Sequence, residues 1–375
     1  MAPLDGLIVA DFSRVLAGPF ATMLLGDLGA DVIKVERPDG GDDTRAWGPP
    51  WRDGESTYYL GLNRNKRSIA LDLADPEDLE LARRLAGRAD VLIESFRPGL
   101  MARWGLDGDT LRAINPGLVT CSITAFGTGE QGAALPGYDF LLQAVGGLMS
   151  ITGEPDGQPL KVGSAVVDLV CGLRAVIGLQ AALAERDRTG RGRHVEVSLM
   201  DAALTALLNQ GSAWVAGGVV PGRLGNRHPS IVPYETFAAA DRPIAVAVGN
   251  DRLFGRLCVA LGLDELPSDP RFATNEARVA NVDALAERLG EVFAREPADH
   301  WIEVLRAAAV PAGRINGIDE AWQLAEALGM EPVARPDGVP VAAPPLRLDG
   351  ERPEVRRRPP RLDEHGEEIR AWLRD

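Results

Sequence analysis

Residues 7–36 read LIVADFSRVLAGPFATMLLGDLGADVIKVE, and this stretch decides the fold class. The apolar run LIVAD predicts a strand, and Gly18-Pro19 opens a segment whose apolar residues recur at helical spacing up to Gly29. The following ADVIKVE predicts a second strand that ends at Glu36. Together the three segments predict a β-α-β unit, in which a helix connects two parallel strands.

The same alternation continues along the chain. RSIALDL (67–73) predicts a strand, PEDLELARRLAGRA a helix from Pro76, and DVLIESF (90–96) and GLVTCSITAF (117–126) two more strands. Strands that alternate with helices imply a parallel sheet covered by helices on its faces. The sequence therefore predicts an α/β fold, and such sheets bind ligands at the carboxyl ends of their strands.

Composition predicts where this unit ends. Helical spacing returns at FLLQAVGGLMS, from about Ala165 to Arg188 and from Met200 to about Val215, and a strand is predicted at HVEVSL. The stretch 217–233, GGVVPGRLGNRHPSIVP, is rich in glycine and proline and predicts a linker after a first domain over 1–216. A smaller unit then begins at Tyr234, with strand PIAVAVG, helix DRLFGRLCVALG and two further helices.

Charge and cysteine content exclude several classes of partner. The chain has 375 residues, with 54 acidic and 40 basic side chains, and its net charge of −14 would repel nucleic acid and anionic membrane surfaces. Three separated cysteines with no C-x-x-C pair predict reduced core residues and no metal site. No targeting segment and no run of 18 uncharged apolar residues is found, so a cytoplasmic protein without a membrane span is expected.

One glycine motif raises the alternative of a nicotinamide-dependent dehydrogenase. Residues 127–132, GTGEQG, fit G-x-G-x-x-G and follow a predicted strand. The motif should open a helix that presents its amides to a pyrophosphate, and Pro136 and Gly137 break any helix here. The sequence therefore does not predict an NAD site.

Asp168 is the carboxylate that the pattern singles out. The chain has only four histidines, so carboxylates are the abundant alternative for acid, base or nucleophile. Asp168 lies among apolar and small residues near the start of the long predicted helix, and burial there would make its ion more reactive. The competing interpretation is a helix cap, a position that aspartate favours.

Arginines follow two of the predicted strands. Arg37 comes after the second strand, and Arg97 and Arg103 come after DVLIESF, where anionic ligands bind in such sheets. Three arginines around one crevice would suit a phosphate-rich cofactor. Residues 65–67, Asn-Lys-Arg, could add positive charge, although a solvated turn is the expectation.

Several stretches together resemble the family III coenzyme A transferases, which include formyl-CoA transferase, carnitine CoA-transferase and the divergent α-methylacyl-CoA racemase. The similar stretches, in family order, are LDGLIVADFSRVLAGPFATMLLGDLGADVIKVERPDGGDDTR, NKRSIALDL, DVLIESFRPG, GYDFLLQAVGGLMSITG and VGSAVVDLVCGLRAVIGLQAALAERDRTGRGRHVEVSLMDAAL. VAVGNDRLFGRLC resembles the family's smaller domain, so the resemblance is effectively full length.

The resemblance implies a fold, an assembly and a reaction. It implies a Rossmann-like large domain, a smaller α/β domain over 234–318, a segment 319–375 that returns to the large domain, and an interlocked homodimer. Asp168 matches the family's catalytic aspartate. By analogy it attacks a donor thioester to form an anhydride, then an aspartyl-CoA thioester that an acceptor carboxylate converts into product. Coenzyme A would thus pass from an acyl-CoA to a small carboxylic acid, and succinyl-CoA is the expected donor.

The resemblance also implies binding residues and leaves alternatives open. In the racemase branch a histidine stands at the position of Tyr138, so racemisation would lack one base here, and formyl-CoA transferase has glutamine in place of Leu16. Trp47 matches a tryptophan near the acyl site. A racemase and a non-catalytic acyl-CoA binding protein remain the alternatives. Positions that match coenzyme A contacts are Val15, Ala17, Arg37, Leu71, Leu73, Ser95, Phe96, Arg97, Arg103 and Tyr138.

Overall fold

The computed structural model describes residues 2–375 and contains two compact units. The first unit comprises the chain up to Leu148 together with Lys161–Val219 and Gly329–Asp375. The second unit comprises Met149–Leu160 and Val220–Leu328. The chain therefore leaves the first unit twice and returns to it twice.

A six-stranded parallel sheet forms the centre of the first unit. Up to residue 219, the strands of this unit are β1 (Ile8–Phe12), β2 (Asp31–Glu36), β3 (Trp51–Arg52), β4 (Glu55–Ser56), β5 (Lys66–Ala70), β6 (Val91–Glu94), β7 (Val119–Thr124) and β8 (His194–Ser198). The sheet order is β5-β2-β1-β6-β7-β8, and each neighbouring pair is parallel. The predicted α/β class with a parallel sheet is confirmed. Because β1 and β6 are neighbours while the chain runs outward from each in opposite directions, a crevice opens above their carboxyl ends.

Helices cover both faces of this sheet. The helices of the first unit, in chain order, are α1 (Ala17–Asp27), α2 (Thr57–Leu60), α3 (Pro76–Arg88), α4 (Leu100–Arg103), α5 (Gly108–Ile114), α6 (Glu130–Ala133), α7 (Asp139–Val145), α9 (Val166–Thr189), α10 (Leu199–Ala206) and α11 (Leu208–Val215). The short helix α8 (Leu148–Ile151) begins at Leu148, and its other residues belong to the second unit. One core joins α1, α7, α9 and α10 to the sheet, and another joins α3 and α5 to its opposite face. Removing these apolar side chains from water is the main force that holds the helices to the sheet.

The helix α9 is the longest element, and its approach to α1 depends on one glycine. A Cβ atom at Gly172 would lie 2.6 Å from the Ala17 carbonyl oxygen, so only glycine permits this distance between the helices. By length and composition α9 is apolar enough to cross a membrane, but 39% of its most apolar window is buried in the fold. It contacts α1, β7 and β8, as a core helix does.

Two predicted helices are interrupted. The segment FLLQAVGGLMS forms α7 and α8 rather than one helix, because Gly147 has φ +91° and ends the helical path. The helix predicted from Met200 to about Val215 is divided into α10 and α11, where Leu208 has φ +45°. Both breaks lie at backbone conformations that helical spacing alone does not reveal.

The second unit contains a small antiparallel sheet and its own core. Its strands are β9 (Tyr234–Ala238), β10 (Pro243–Ala247) and β11 (Ala312–Arg314), in the order β11-β10-β9. Its helices are α12 (Asp251–Leu261), α13 (Asn275–Ala280), α14 (Val282–Phe293), α15 (Ala298–Ala307) and α16 (Ile318–Ala327). Only β10 among the strands was predicted, and three helices occupy the place of the two expected after α12.

The unit boundaries differ from those predicted. Residues 149–160 group with the second unit, where Arg223 donates to the Gly157 carbonyl oxygen at 2.8 Å. Residues 319–328, predicted in the C-terminal segment, also group with the second unit, because Arg242 forms a bidentate ion pair at 2.8 Å with Glu320 of α16. Neither contact is visible as a change in composition.

The C-terminal segment of the first unit packs along the edge strand β5. It contains β12 (Val333–Ala334), β13 (Val341–Ala342) and α17 (Gly366–Arg374). The Ala70 amide donates to Asp363 at 2.7 Å, and the His365 amide donates to the Ser68 carbonyl oxygen at 3.0 Å. The edge of the parallel sheet is therefore covered by the last residues of the chain.

Candidate active site

A cavity of about 500 Å³ opens in the first unit, above the carboxyl ends of β1 and β6. The loops that follow these strands meet there, since the Arg14 amide donates to the Ser95 hydroxyl at 3.0 Å. The cavity is also reached by the starts of α1 and α9 and by the segment before α7. We call it the main cavity because Asp168 lines it, although a neighbouring cavity of about 530 Å³, which shares Phe96 and Arg97 with it, is slightly larger. The main cavity occupies the crevice that the sheet order creates.

The main cavity gathers most of the residues predicted for the site. It is lined by Val15, Leu16, Ala17, Ser95, Phe96, Arg97, Tyr138 and Asp168. A smaller cavity of about 190 Å³ is lined by Arg37, Leu71, Leu73 and Phe96. Phe96 and Arg14 belong to both linings, so they lie between the two spaces. Arg103 and Trp47 line neither cavity.

Asp168 is the third residue of α9, and a different aspartate caps the helix. The Asp139 carboxylate accepts hydrogen bonds from the amides of Val167 at 2.8 Å and Asp168 at 3.2 Å. Gln143 in turn donates to the other Asp139 oxygen at 2.6 Å. The interpretation of Asp168 as a cap is therefore wrong, and its side chain remains available to the cavity.

The surroundings of Asp168 destabilise its charge. Burial, followed by the nearby Asp139 carboxylate, raises the pKa of Asp168 to about 7. Neither a hydrogen bond nor a cation offsets these causes in the part of the chain that the structure describes, residues 2–375. Near neutral pH the ionised carboxylate is therefore both present and poorly stabilised, which suits a nucleophile.

Tyr58 is a residue near Asp168 that the sequence did not single out, although it lines neither cavity. Burial, with the Asp168 carboxylate next in size, raises the pKa of Tyr58 to about 12. Its ring packs edge-on against Trp47 with centroids 5.4 Å apart. Trp47 is thus connected to the Asp168 region through Tyr58, although it does not line the cavity.

Arg14 is a second residue that the prediction missed. Its guanidinium lies 4.8 Å from the centre of the Phe96 ring, within reach of both cavities. Among the predicted arginines, Arg37 is paired with Asp43 at 2.6 Å, while Arg97 and Arg103 are exposed. Arg14 comes two residues after the end of the strand β1, so its position after a strand end was a usable signal.

The segment Asn65-Lys66-Arg67 is not a solvated turn. Asn65 and Lys66 are fully buried, and the Lys66 ammonium bonds Asp11 at 3.1 Å. The expected surface position is therefore wrong, because a partner 55 residues away in sequence neutralises the buried charge.

The glycine motif does not open the long helix of a dinucleotide fingerprint. Residues 130–132 of the motif lie within the four-residue helix α6, and the Thr128 amide and hydroxyl both donate to Glu196 at 3.0 Å. The Thr128 amide, which a pyrophosphate would need as a donor, is therefore already bonded to the Glu196 carboxylate.

Two further expectations concern cysteines and metals. Cys121, Cys171 and Cys258 are buried and free, as predicted. Within residues 2–375, no group of three or more histidine, cysteine, aspartate or glutamate side chains is placed to hold a metal ion.

Comparisons with known proteins agree on one family. The model described as CoA-transferase family III matches residues 4–366. The succinate–glutarate CoA-transferase of Agrobacterium fabrum is 44% identical, with 99% of this chain and 96% of that protein covered. The acetyl-CoA:oxalate CoA-transferase of Acetobacter aceti is 42% identical, with 98% and 95% covered. The crystal structure of a CaiB/BaiF family protein from Brucella suis matches with a TM-score of 0.89 and 45% identity, covering 99% of each chain.

Proposed function

The chain belongs to CoA-transferase family III, and from that membership we propose that it moves coenzyme A from succinyl-CoA to a small carboxylate, with Asp168 as nucleophile. It is an enzyme that acts on acyl-CoA and carboxylate substrates. The observation that carries the proposed mechanism is the Asp168 carboxylate on the cavity wall, with a pKa raised to about 7.

The first step forms an anhydride. A carboxylate oxygen of Asp168 attacks the carbonyl carbon of the donor thioester, the C–S bond breaks, and coenzyme A leaves as its thiolate. The thiolate then attacks the Asp168 side-chain carbonyl of this anhydride. The enzyme is left with an aspartyl-CoA thioester, and the donor acid leaves as a carboxylate.

The second half repeats these steps with the acceptor. The acceptor carboxylate attacks the aspartyl thioester, giving a new anhydride and the free thiolate. The thiolate attacks the acceptor carbonyl, which releases the new acyl-CoA and restores the Asp168 carboxylate. None of these steps needs a metal ion or a nicotinamide.

The start of α1 can stabilise the oxyanion of each addition step. The amides of Ala17 and Gly18 lie in the first turn, where no preceding helical carbonyl can accept from them. Both residues line the main cavity with Asp168. Amides at a helix start favour negative charge, so developing charge on the thioester oxygen is stabilised there.

The smaller cavity suits the nucleotide end of coenzyme A. Leu71 and Leu73 give it apolar walls, and Arg14 and Arg37 line it together with the carboxylates of Glu36 and Asp72. Arg14 and Arg37 are the groups in this lining that could bind phosphate. Phe96 separates it from the main cavity, so one extended ligand can pass this ring with its thioester near Asp168. The exposed Arg103 is proposed to contact phosphate in the bound state only.

The named relatives support succinyl-CoA as donor and a dicarboxylate as acceptor. The relative from Agrobacterium fabrum is named for succinate and glutarate, and that from Acetobacter aceti for acetyl-CoA and oxalate. Leu16 puts an apolar side chain on the cavity wall, which favours an acceptor with a methylene chain over oxalate. We therefore propose glutarate as the first acceptor to test.

The first unit has an apolar surface that a second copy would cover, which supports the proposed interlocked homodimer. The exposed apolar side chains on α9, α10 and α11 are Leu169, Leu173, Ile177, Leu204, Leu208, Trp214 and Val215. An apolar area of this extent marks an interaction surface. Sedimentation velocity should show a dimer, and Ile177→Glu should shift it toward monomer.

The protein's charge and cysteines support the remaining proposals on its setting. A net charge of −14 disfavours nucleic acid and anionic membranes as partners. Three free, buried cysteines fit the reducing cytoplasm, which we propose as its location.

Trapping the covalent intermediate tests the proposed mechanism. The protein is incubated with succinyl-CoA, treated with hydroxylamine or borohydride, and digested for peptide mass spectrometry. Modification of the Asp168 peptide that depends on succinyl-CoA is the expected result. Asp168→Ala should keep the fold and bind coenzyme A without transfer, while the exposed Asp187→Ala on the same helix should transfer normally.

Either of two results would contradict the mechanism. Turnover that survives in Asp168→Ala would exclude an aspartyl intermediate at this position. Solvent deuterium incorporated at the acyl α-carbon, with no acceptor present and no labelling of Asp168, would indicate a racemase instead.

A further inference from the structure

A cluster of buried charges lies behind the loop that joins β1 to α1. Lys34 and Lys66 are fully buried, as is Asp11, and Asp42 is 2% exposed. None of these side chains lines the main cavity, and the proposed transfer steps do not use them. A buried ion pair often contributes little net stability compared with apolar residues of similar size. The contacts of these charges with the loop therefore point to a role in placing its backbone.

Lys34 and Asp42 bond the backbone of the loop between β1 and α1. The Lys34 ammonium lies 2.8 Å from the Asp42 carboxylate and donates to the Ser13 carbonyl oxygen at 3.0 Å. The same Asp42 oxygen accepts the Val15 amide at 3.2 Å. The other Asp42 oxygen is held by the Thr44 amide and hydroxyl at 2.9 and 2.7 Å. One ion pair thus contacts the backbone on both sides of Arg14.

The backbone at Val15 is strained. Its φ is +68°, in the left-handed region that β-branched residues rarely adopt. Val15 lines the main cavity and stands immediately before Leu16 and the first turn of α1. A valine without these contacts would relax to a negative φ, so the surrounding hydrogen bonds must hold Val15 in the left-handed conformation.

Lys66 holds the other side of the same segment. Its ammonium donates to the Pro19 carbonyl oxygen at 2.8 Å, to Asn63 at 2.9 Å and to Asp11 at 3.1 Å. Pro19 is the third residue of α1, so the first turn of this helix is attached to the strands β1 and β5. The free amides of Ala17 and Gly18 lie between the two attachments.

We propose that Lys34 and Asp42 are positioning residues that hold Val15 in its left-handed conformation and so place the Ala17 and Gly18 amides at the reacting carbonyl. This inference rests on the proposed function, since it assumes that an oxyanion forms beside Asp168. Neither residue touches substrate. They act through the backbone of the loop, and their loss should slow the first chemical step more than it weakens coenzyme A binding.

The test removes the ion pair without leaving a buried charge. Lys34→Met/Asp42→Asn keeps an oxygen for the Thr44 amide but takes away the acceptor for Val15 and the donor to Ser13. Thiolate release in a single turnover with succinyl-CoA is expected to fall by about 100-fold, the usual effect of losing an oxyanion donor. The dissociation constant for free coenzyme A, measured by titration calorimetry, should change by less than about 3-fold.

A glycine at position 15 supplies the decisive comparison. Glycine adopts positive φ without steric penalty, so Val15→Gly in the Lys34→Met/Asp42→Asn background should restore the first-turnover rate by about 10-fold. The matched control is Arg64→Met/Asp27→Asn, which removes another buried ion pair at the far end of α1. Its single-turnover rate should stay near that of the wild type.

Three outcomes would overturn the inference. The variant without the ion pair could keep its single-turnover rate, glycine at position 15 could fail to restore a lost rate, or the Arg64 control could lose as much rate. Failure of the proposed function is distinguishable, because the wild-type protein itself would then show no labelling of Asp168 with succinyl-CoA.

Discussion

Replacing Asp168 by asparagine should stabilise the protein while abolishing transfer. The carboxylate pays a free-energy penalty in the folded state, because burial and the neighbouring Asp139 raise its pKa from the ordinary 3.8 to about 7. Asparagine is nearly the same size and carries no charge. It therefore removes the penalty and the nucleophile together, as expected where activity and stability are opposed.

The size and sign of the effect follow from proton linkage. For a wholly buried carboxyl, a pKa rise from 3.8 to about 7 corresponds to about 4 kcal/mol of lost stability above pH 7. Asp168 is part-exposed, so solvent reduces this to about 1–2 kcal/mol. The penalty is complete above about pH 7 and disappears as the pH falls below the unfolded-state value of 3.8.

Thermal and urea unfolding at pH 4.5 and pH 8 measure this effect in the ligand-free protein. We expect the melting temperature of Asp168→Asn to exceed that of the wild type by about 1–3 °C at pH 8, with a much smaller gap at pH 4.5. The exposed Asp187→Asn on the same helix is the control and should show no such dependence on pH. An Asp168→Asn protein that is less stable than the wild type at pH 8, or a gap independent of pH, would refute the reasoning.

Other contacts at the active site, in the buried ion pair and between the helices can be tested in the same way. The rate at which succinyl-CoA labels Asp168 should rise with pH through a midpoint near 7. Asp139→Asn should move that midpoint to lower pH, because one cause of the raised pKa of Asp168 is removed. An unmoved midpoint would refute the role of Asp139. The pKa of Asp42 is lowered from 3.8 to about 2, so its ion pair stabilises the folded protein by about 2 kcal/mol above pH 3.8, and this stabilisation is lost as the pH falls through 2. The difference in the free energy of urea unfolding between the wild type and Asp42→Asn should therefore shrink toward pH 2. A difference that stays constant with pH would contradict this prediction. Gly172→Ala should lower the free energy of unfolding by about 1–3 kcal/mol, because its Cβ would lie 2.6 Å from a carbonyl oxygen of α1. Gly87→Ala in α3 meets nothing within 4 Å and should raise the free energy of unfolding by up to about 1 kcal/mol. Equal melting temperatures for the two variants would contradict this prediction.

Local patterns in the sequence predicted the parallel sheet well. The stretch from Leu7 to Glu36 became β1, α1 and β2 with shifts of one or two residues, because period, proline and glycine are all local signals. The antiparallel strands β9 and β11 were missed. Their residues Tyr234–Ala238 and Ala312–Arg314 are short, mostly part-exposed segments without an apolar run.

The sequence predicted that Asp168 lies near the start of the long helix, but it did not predict the contact with Asp139 that caps this helix and raises the pKa of Asp168. Asp139 caps α9 from 29 residues away, and that contact depends on how two loops meet. The charge at Lys66 was misplaced for the same reason, because its partner Asp11 lies on another strand of the sheet. Long-range polar contacts of this kind leave no period in the sequence, whereas the resemblance to a family transferred Asp168 as a single position.

The path of the chain through the first unit has a consequence for its synthesis. A ribosome releases residues 220–328 before it releases 329–375, although the latter complete the unit that began first. Until Asp363 and His365 have emerged, the nascent sheet keeps an open edge at β5, where both residues later bind. A transcript truncated after the second unit would therefore yield a chain with a bare parallel edge, a substrate for chaperones and proteases rather than a smaller enzyme.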